Sequence, residues 1–158
     1  MIPGRNGVDE AEMRIYIGAD HKGFLLKEHL VKYLQGEGYE VTDVGTGSET
    51  STDYPDYGLE VACAVAEGRA DRGIAICWTG NGMNIAANKV PGMRSALCVS
   101  TDMAMMARAH NNANMLALGS RYVSSEEAEK IVFVFLSTVF EGGRHAKRLA
   151  KIEAAEKK

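Results

Sequence analysis

Five short apolar runs, each followed by a stretch with helical spacing, constrain this chain more than any other feature. Arg14–Ala19 (RIYIGA) reads as a strand, and Phe24–Gln35 places Phe24, Leu25, Leu30, Val31 and Leu34 at helical intervals. Gly36 and Gly38 break the chain before a second strand, Tyr39–Val44, and an alanine-rich helix is expected over Tyr57–Glu67. Gly73–Cys77 (GIAIC) has no polar alternation, as expected of a strand covered on both faces. A short helix at Met83–Lys89 stops before Pro91. Ser95–Val99 and Met115–Leu118 are two more strands, with a helix at Asp102–Arg108 between them. Ser124 or Ser125 caps a helix running to about Val139, and Gly142-Gly143 separates it from a basic last helix, Arg144–Glu156.

Strands alternating with helices predict a five-stranded parallel sheet in a three-layer α/β domain. At 158 residues one domain is expected, spanning 13–158. The polar first dozen residues, MIPGRNGVDEAE, lack an apolar signal core and read as a disordered extension. No apolar run approaches the ~20 residues of a membrane span. A net charge of -3 gives no reason to expect nucleic acid or an anionic membrane as partner. Cys63, Cys77 and Cys98 are odd in number and widely spaced, which indicates neither a disulfide framework nor zinc and fits a reducing cytoplasm.

In such sheets ligands bind beyond the carboxyl ends of the strands. Asp20-His21 follows the first strand, Gly45-Thr46 the second and Cys77-Trp78-Thr79-Gly80-Asn81-Gly82 the third. Ser100-Thr101-Asp102 follows the fourth and Gly119-Ser120-Arg121 the fifth. In the Cys77–Lys89 segment a strand ends at a cysteine, two glycines let the chain turn and a helix begins. Such a loop directs N–H groups at one spot beside a helix N-terminus, which suits a phosphate or an enediolate oxygen. It also describes an ordinary tight turn over a buried thiol. It is neither a Walker loop nor a dinucleotide loop. As a thiolate, Cys77 is suited to remove a proton from carbon; Cys63 and Cys98 lie within apolar patterns and read as small buried hydrophobes.

The histidines divide in the same way. His29 reads as a surface residue, His21 shares an exit with Asp20, and His145 lies in the basic helix. His110 ends a helix, a place that favours imidazolium and suits a proton donor. Taken singly, each is more often structural than catalytic. No group of histidines and carboxylates shows metal-ligand spacing, so no metal is expected. Arg144, Arg148 and Lys151 make one basic helical face, and Arg121 adds a fork donor suited to phosphate.

The motifs GADHKGFLLKEHL, DVGT, DYPDYG, CWTGNGMNIAANKVPGMR, ARAHNNANMLALGSR and EGGRHAKR together resemble ribose-5-phosphate isomerase B and the related allose- and galactose-6-phosphate isomerases. The resemblance runs from about Met13 to Ile152. It implies a Rossmann-like fold and a homodimer, with a tetramer as the alternative assembly, and active sites at the subunit interface. It further implies cofactor-free interconversion of an aldose phosphate, ribose 5-phosphate foremost, with its ketose through an enediolate. Carried over by position, Cys77 is the base and His110 the ring-opening donor. Asp20 and His21 bind sugar hydroxyls or phosphate, Thr79, Gly80, Asn81 and Gly82 form the anion hole, and Asn111 contacts the sugar. Arg121, Arg144 and Arg148 hold the phosphate, the last two on a helix reaching in from the partner. The chain departs from the family at two places. Met83 stands where one branch has a glutamate base, and Trp78 stands where glycine is usual. An indole there either walls the sugar pocket or packs outward. The rival readings are the same chemistry on a six-carbon or unusual sugar phosphate, a non-catalytic sugar-phosphate binder, and a flavodoxin-like nucleotide module. Cys77 with His110 distinguishes the isomerase from the binder, which needs neither acid nor base.

Overall fold

A computed structural model describes residues 13–157; the expected disordered extension at 1–12 lies outside the described residues. The order is β1 (Arg14–Ala19), α1 (Phe24–Gly36), β2 (Glu40–Asp43), α2 (Tyr54–Ala66), β3 (Arg72–Cys77), α3 (Asn81–Asn88), β4 (Ser95–Leu97), α4 (Thr101–Asn111), β5 (Met115–Gly119), α5 (Ser125–Ser137) and α6 (Arg144–Glu156). The strands form one parallel sheet in the order β2-β1-β3-β5-β4, the fold class the sequence pattern predicts.

The pleat sorts side chains between two cores. Ile74 and Ile76 of β3, with Leu116 and Leu118 of β5, join the core that Leu30, Leu34 and Phe135 fill from α1 and α5. Ala75, Cys77, Met115 and Ala117 face the other core, with Val61 and Ala62 of α2 and Met83 and Ala87 of α3. Every residue of β3 and β5 is buried, so these strands carry no polar alternation. The edge strands β2 and β4 are shorter and more exposed. Met83 is fully buried, in the core rather than in a cavity.

Element boundaries moved where local chemistry outweighed apolar spacing. Tyr54-Pro55 opens α2 three residues earlier than predicted, because proline tolerates the first helical turn. Ser124, not Ser125, caps α5 by accepting the Glu127 N–H at 3.1 Å, and the helix stops at Ser137. Asn112, with φ 45°, ends α4 beyond the predicted Arg108. Two buried cations are structural. Arg108 donates to Asn112 Oδ1 at 3.0 Å across that helix end. Lys27 joins α1 to β2 through Asp43; burial lowers its pKa, but hydrogen bonds to Asp43 and Glu28 prevail and leave it raised.

Helix α6 packs on its own chain. Leu149 and His145 are buried, and the Glu156 carboxylate accepts the Gly92 N–H at 3.2 Å. Arg144, Lys147, Arg148 and Lys151 stay exposed.

Candidate functional site

The chain passes from β1 outward to β2 and then back across to β3. The exits of β1 and β3 therefore flank a switch point, where open α/β sheets bind ligands. The Asp20 N–H donates to the Ile76 carbonyl at 3.3 Å, drawing the two exits together. The β5 exit joins them, because Ser120 and Arg121 donate to the carbonyls of Cys77 and Trp78 at 3.0 and 2.9 Å. Small residues permit this crowding. A Cβ on Gly119 would collide with the Thr79 carbonyl. Gly80 adopts φ 81° and leaves no room for a Cβ beside Leu97.

Cys77 Sγ sits at the inner end of this loop and accepts the Gly80 N–H at 3.2 Å. The Asn81 N–H reaches Thr79 Oγ1 at 3.3 Å. These two donors of the expected anion hole are therefore engaged within the loop itself. A cavity of about 360 Å³ is lined by Asp20, Tyr54, Cys77, Thr79, Asn81 and Gly82, with Trp78 on its wall. Asp20 Oδ1 accepts the N–H groups of Lys22 and Gly23 at 3.0 and 3.1 Å, so this carboxylate shapes the turn into α1 as well as lining the cavity. His21 Nδ1 accepts the Thr52 N–H at 3.1 Å. That bond assigns the ring proton to Nε2, leaving a donor for a ligand.

Trp78 also lines a neighbouring cavity of about 440 Å³ with His21, Lys22 and Ser120. Trp78 is thus common to the two hollows. The Lys22 ammonium lies 5.1 Å and the Arg121 guanidinium 5.4 Å from the ring centre, so the indole holds both cations by cation–π attraction. Lys22 and Tyr54 were not among the residues singled out from the sequence. Lys22 follows Asp20-His21 directly, and Tyr54, whose ring covers Gly82, lies in the DYPDYG motif.

The remaining predicted residues lie elsewhere. Cys77 pairs with Gly119 at the end of β5, whereas His110 and Asn111 close α4 just before β5 begins. The length of β5, roughly 13 Å at about 3.3 Å per step, separates these edges of the sheet. A single copy therefore does not bring His110 to Cys77. Instead His110 stacks on His145, with ring centres 4.2 Å apart. Glu141 lies 3.7 Å from Nε2 of each ring, its backbone N–H bound to the Ala109 carbonyl at 3.0 Å. Burial first, then the charges of His110 and Arg144, lower the pKa of His145. Arg144 and Arg148 flank this group on α6. The expectation that no histidines and carboxylates group together with metal-ligand geometry is corrected here. The chain reversal at Gly142-Gly143 lets Glu141 and His145 meet His110.

Among the described residues no helix is long and apolar enough to cross a membrane. All three cysteines are free thiols, and burial raises the Cys98 pKa to about 12.

Residues 15–152 match the model of a family described as Ribose/Galactose Isomerase. The chain is 48% identical to Ribose-5-phosphate isomerase B of Escherichia coli over 145 residues, covering 92% of this chain and 97% of that protein. Ribose-5-phosphate isomerase B of Clostridium thermocellum superposes with a TM-score of 0.91 at 54% identity, over 92% of this chain and 98% of the other. The Mycoplasma genitalium enzyme, solved with bound ribulose-5-phosphate, gives 0.88 at 44% identity, over 92% and 97%.

Proposed function

The chain belongs to the ribose/galactose isomerase family and is an isomerase of aldose and ketose phosphates, and from that premise we propose that it interconverts ribose 5-phosphate and ribulose 5-phosphate through an enediolate, with Cys77 as the base. The observation that carries the reading is the position of Cys77, on a glycine-bearing loop that lines a sugar-sized cavity together with Asp20 and Thr79. Met83 lies in the core and has no basic atom, which leaves the thiolate as proton acceptor on this loop.

The Cys77 thiolate takes the hydrogen from C2 of the open-chain aldose. The electron pair forms the C1–C2 double bond, and the charge moves to O1. A proton then passes from O2 to O1, and the sulfur returns its proton to C1, giving the ketose. Thr79, Gly80, Asn81 and Gly82 form the anion hole once substrate draws these N–H groups from their partners within the loop onto its oxygen. His21 donates through Nε2, Asp20 binds hydroxyls, and Arg121, steadied by Trp78, binds phosphate.

His110 opens the sugar ring, and Asn111, Arg144 and Arg148 assist, all from a second copy. The supporting observation is the separation of the two groups within one chain. A homodimer in which α6 and the end of α4 meet the partner's strand exits brings them together. Residues 13–158 act as one domain, in the cytoplasm, with no cofactor.

A coupled assay over four- to six-carbon aldose phosphates, with EDTA present, tests this reading. Turnover is expected, fastest with ribose 5-phosphate, and solvent hydrogen should enter the product. Faster turnover of a six-carbon phosphate would replace the substrate assignment, and loss of activity on chelation, restored by a divalent ion, would overturn the cofactor-free mechanism.

A further inference from the structure

We propose that His110, Glu141 and His145 form a binding site for a divalent transition-metal ion of the zinc type, and that its occupancy silences the isomerase. One donor atom from each residue lies within 4.8 Å of the other two. Both Nε2 atoms face the same carboxylate at 3.7 Å, one opposite each oxygen. A tetrahedral zinc ion with bonds near 2.0–2.1 Å wants donors separated by about 3.3 Å. The two rings are stacked, with planes 13° apart, so the partly exposed His110 ring must turn out of the stack, and the Glu141 carboxylate rotate with it, for all three donors to reach one ion.

A second observation points to a ligand independently. His145 is buried, its side chain 7% exposed, and its Nε2 has no hydrogen-bond partner. An orphaned polar atom of this kind is costly in a finished structure. A metal ion satisfies it. The donor set is also apt, since two imidazoles and one carboxylate suit zinc and its neighbours rather than magnesium or calcium. The backbone tie from Glu141 to Ala109 fixes the main chain that carries one donor, and the first turn of α6 carries the buried His145. Arg144 and Arg148 oppose a cation, so binding rests on the three direct bonds and is reversible.

Binding follows from this geometry alone. Silencing rests on the proposed role of His110, since an Nε2 bound to metal has no proton to donate to a sugar ring.

The test measures Zn²⁺ binding to the full chain by competition with a chromophoric chelator, in parallel with isomerase assays. Cys77→Ala serves as the control for binding to that thiol. One Zn²⁺ per chain is expected for both the parent protein and Cys77→Ala. Glu141→Gln and His145→Gln, each checked for folding by circular dichroism, should bind at least tenfold more weakly. Loss of even an outer-shell partner costs a metal site about 10–100-fold. Equal binding by both folded variants, or no stoichiometric binding by the parent, would overturn the site. In the activity arm, Zn²⁺ should inhibit the parent, EDTA should restore it, and Glu141→Gln should keep its own rate at the same Zn²⁺ concentration. Stoichiometric binding without inhibition would overturn the silencing while leaving the site standing. A chain inactive after EDTA and active with Zn²⁺ would instead overturn the cofactor-free reading.

Discussion

The strand-exit cluster around Cys77 and the helix-end cluster around His110 are built by opposite means. The first is made of backbone. Three strand ends are tied to one another by main-chain hydrogen bonds, and glycines at 80 and 119 let the loops close on a thiol only 4% exposed. The second is made of side chains at one end of α4 and the start of α6, with exposed arginines beside it. The first resembles an anion and proton-transfer site whose amide donors are engaged within the loop until a ligand takes them. In the proposed reading the second supplies charge and a proton to something brought to it. Each lacks what the other holds, and this is the physical case for two copies sharing a site.

The sharpest way to break the comparison is to remove the base. Cys77→Ala should lower kcat by at least the ~10²–10⁴-fold typical of a general base, while binding of a phosphate analogue, read by calorimetry, stays largely intact. An active Cys77→Ala chain would move the chemistry away from the strand exits. Complementation then asks whether the clusters meet across an interface. Cys77→Ala and His110→Gln chains, each inactive or nearly so, should recover about a quarter of wild-type activity when subunits exchange at equal amounts, because half of randomly formed twofold dimers carry one intact site of two. No recovery after exchange is proven by mass spectrometry would place both residues in one chain's site or remove His110 from the reaction.

A smaller effect is expected at Trp78, which belongs to the first cluster alone. Trp78→Gly removes a side chain common to two cavities and the support of Arg121 and Lys22. The ranking of kcat/KM among four- to six-carbon phosphates should shift by about 10–200-fold, the value of a methylene or two in a pocket. A changed melting temperature with an unchanged ranking would make the indole a packing element.

The smallest effect concerns the second cluster and pH. The folded pKa of His145 lies below its ordinary 6.5, so below that value the unfolded chain binds the proton more readily than the folded one. This one group therefore costs no stability above about pH 6.5 and lowers it as pH falls below that value. His145→Gln should flatten this part of the profile of Tm against pH, and an unchanged slope would show that other groups govern it.

Much of the first cluster was legible in the chain. A fully buried parallel strand needs apolar residues throughout, so β3 and β5 announce themselves, and whatever follows them lies at the ligand-binding edge. Cys77 through Gly82 follow β3 and Arg121 follows β5, while Asp20 and His21 follow β1, whose apolar run marks it as a strand of the same sheet. Lys22 and Tyr54 were missed because their parts depend on an indole and a glycine that meet them only in the folded chain. The second cluster was legible only as separate residues. The i, i+4 spacing of Glu141 and His145 is visible, but two glycines lie between them, and glycine leaves the local path open.

The sequence by itself determined the strand and helix periods, the sheet class, the family and the composition of the strand exits, because each follows from local spacing and from residue chemistry that survives any packing. Only the tertiary structure decided that His110 stacks on His145 rather than approaching Cys77, that Trp78 is common to two cavities under two cations, and that Met83 is core. These depend on which ends of the helices come to lie at which edge of the sheet, and short-range periodicity carries no record of that distance.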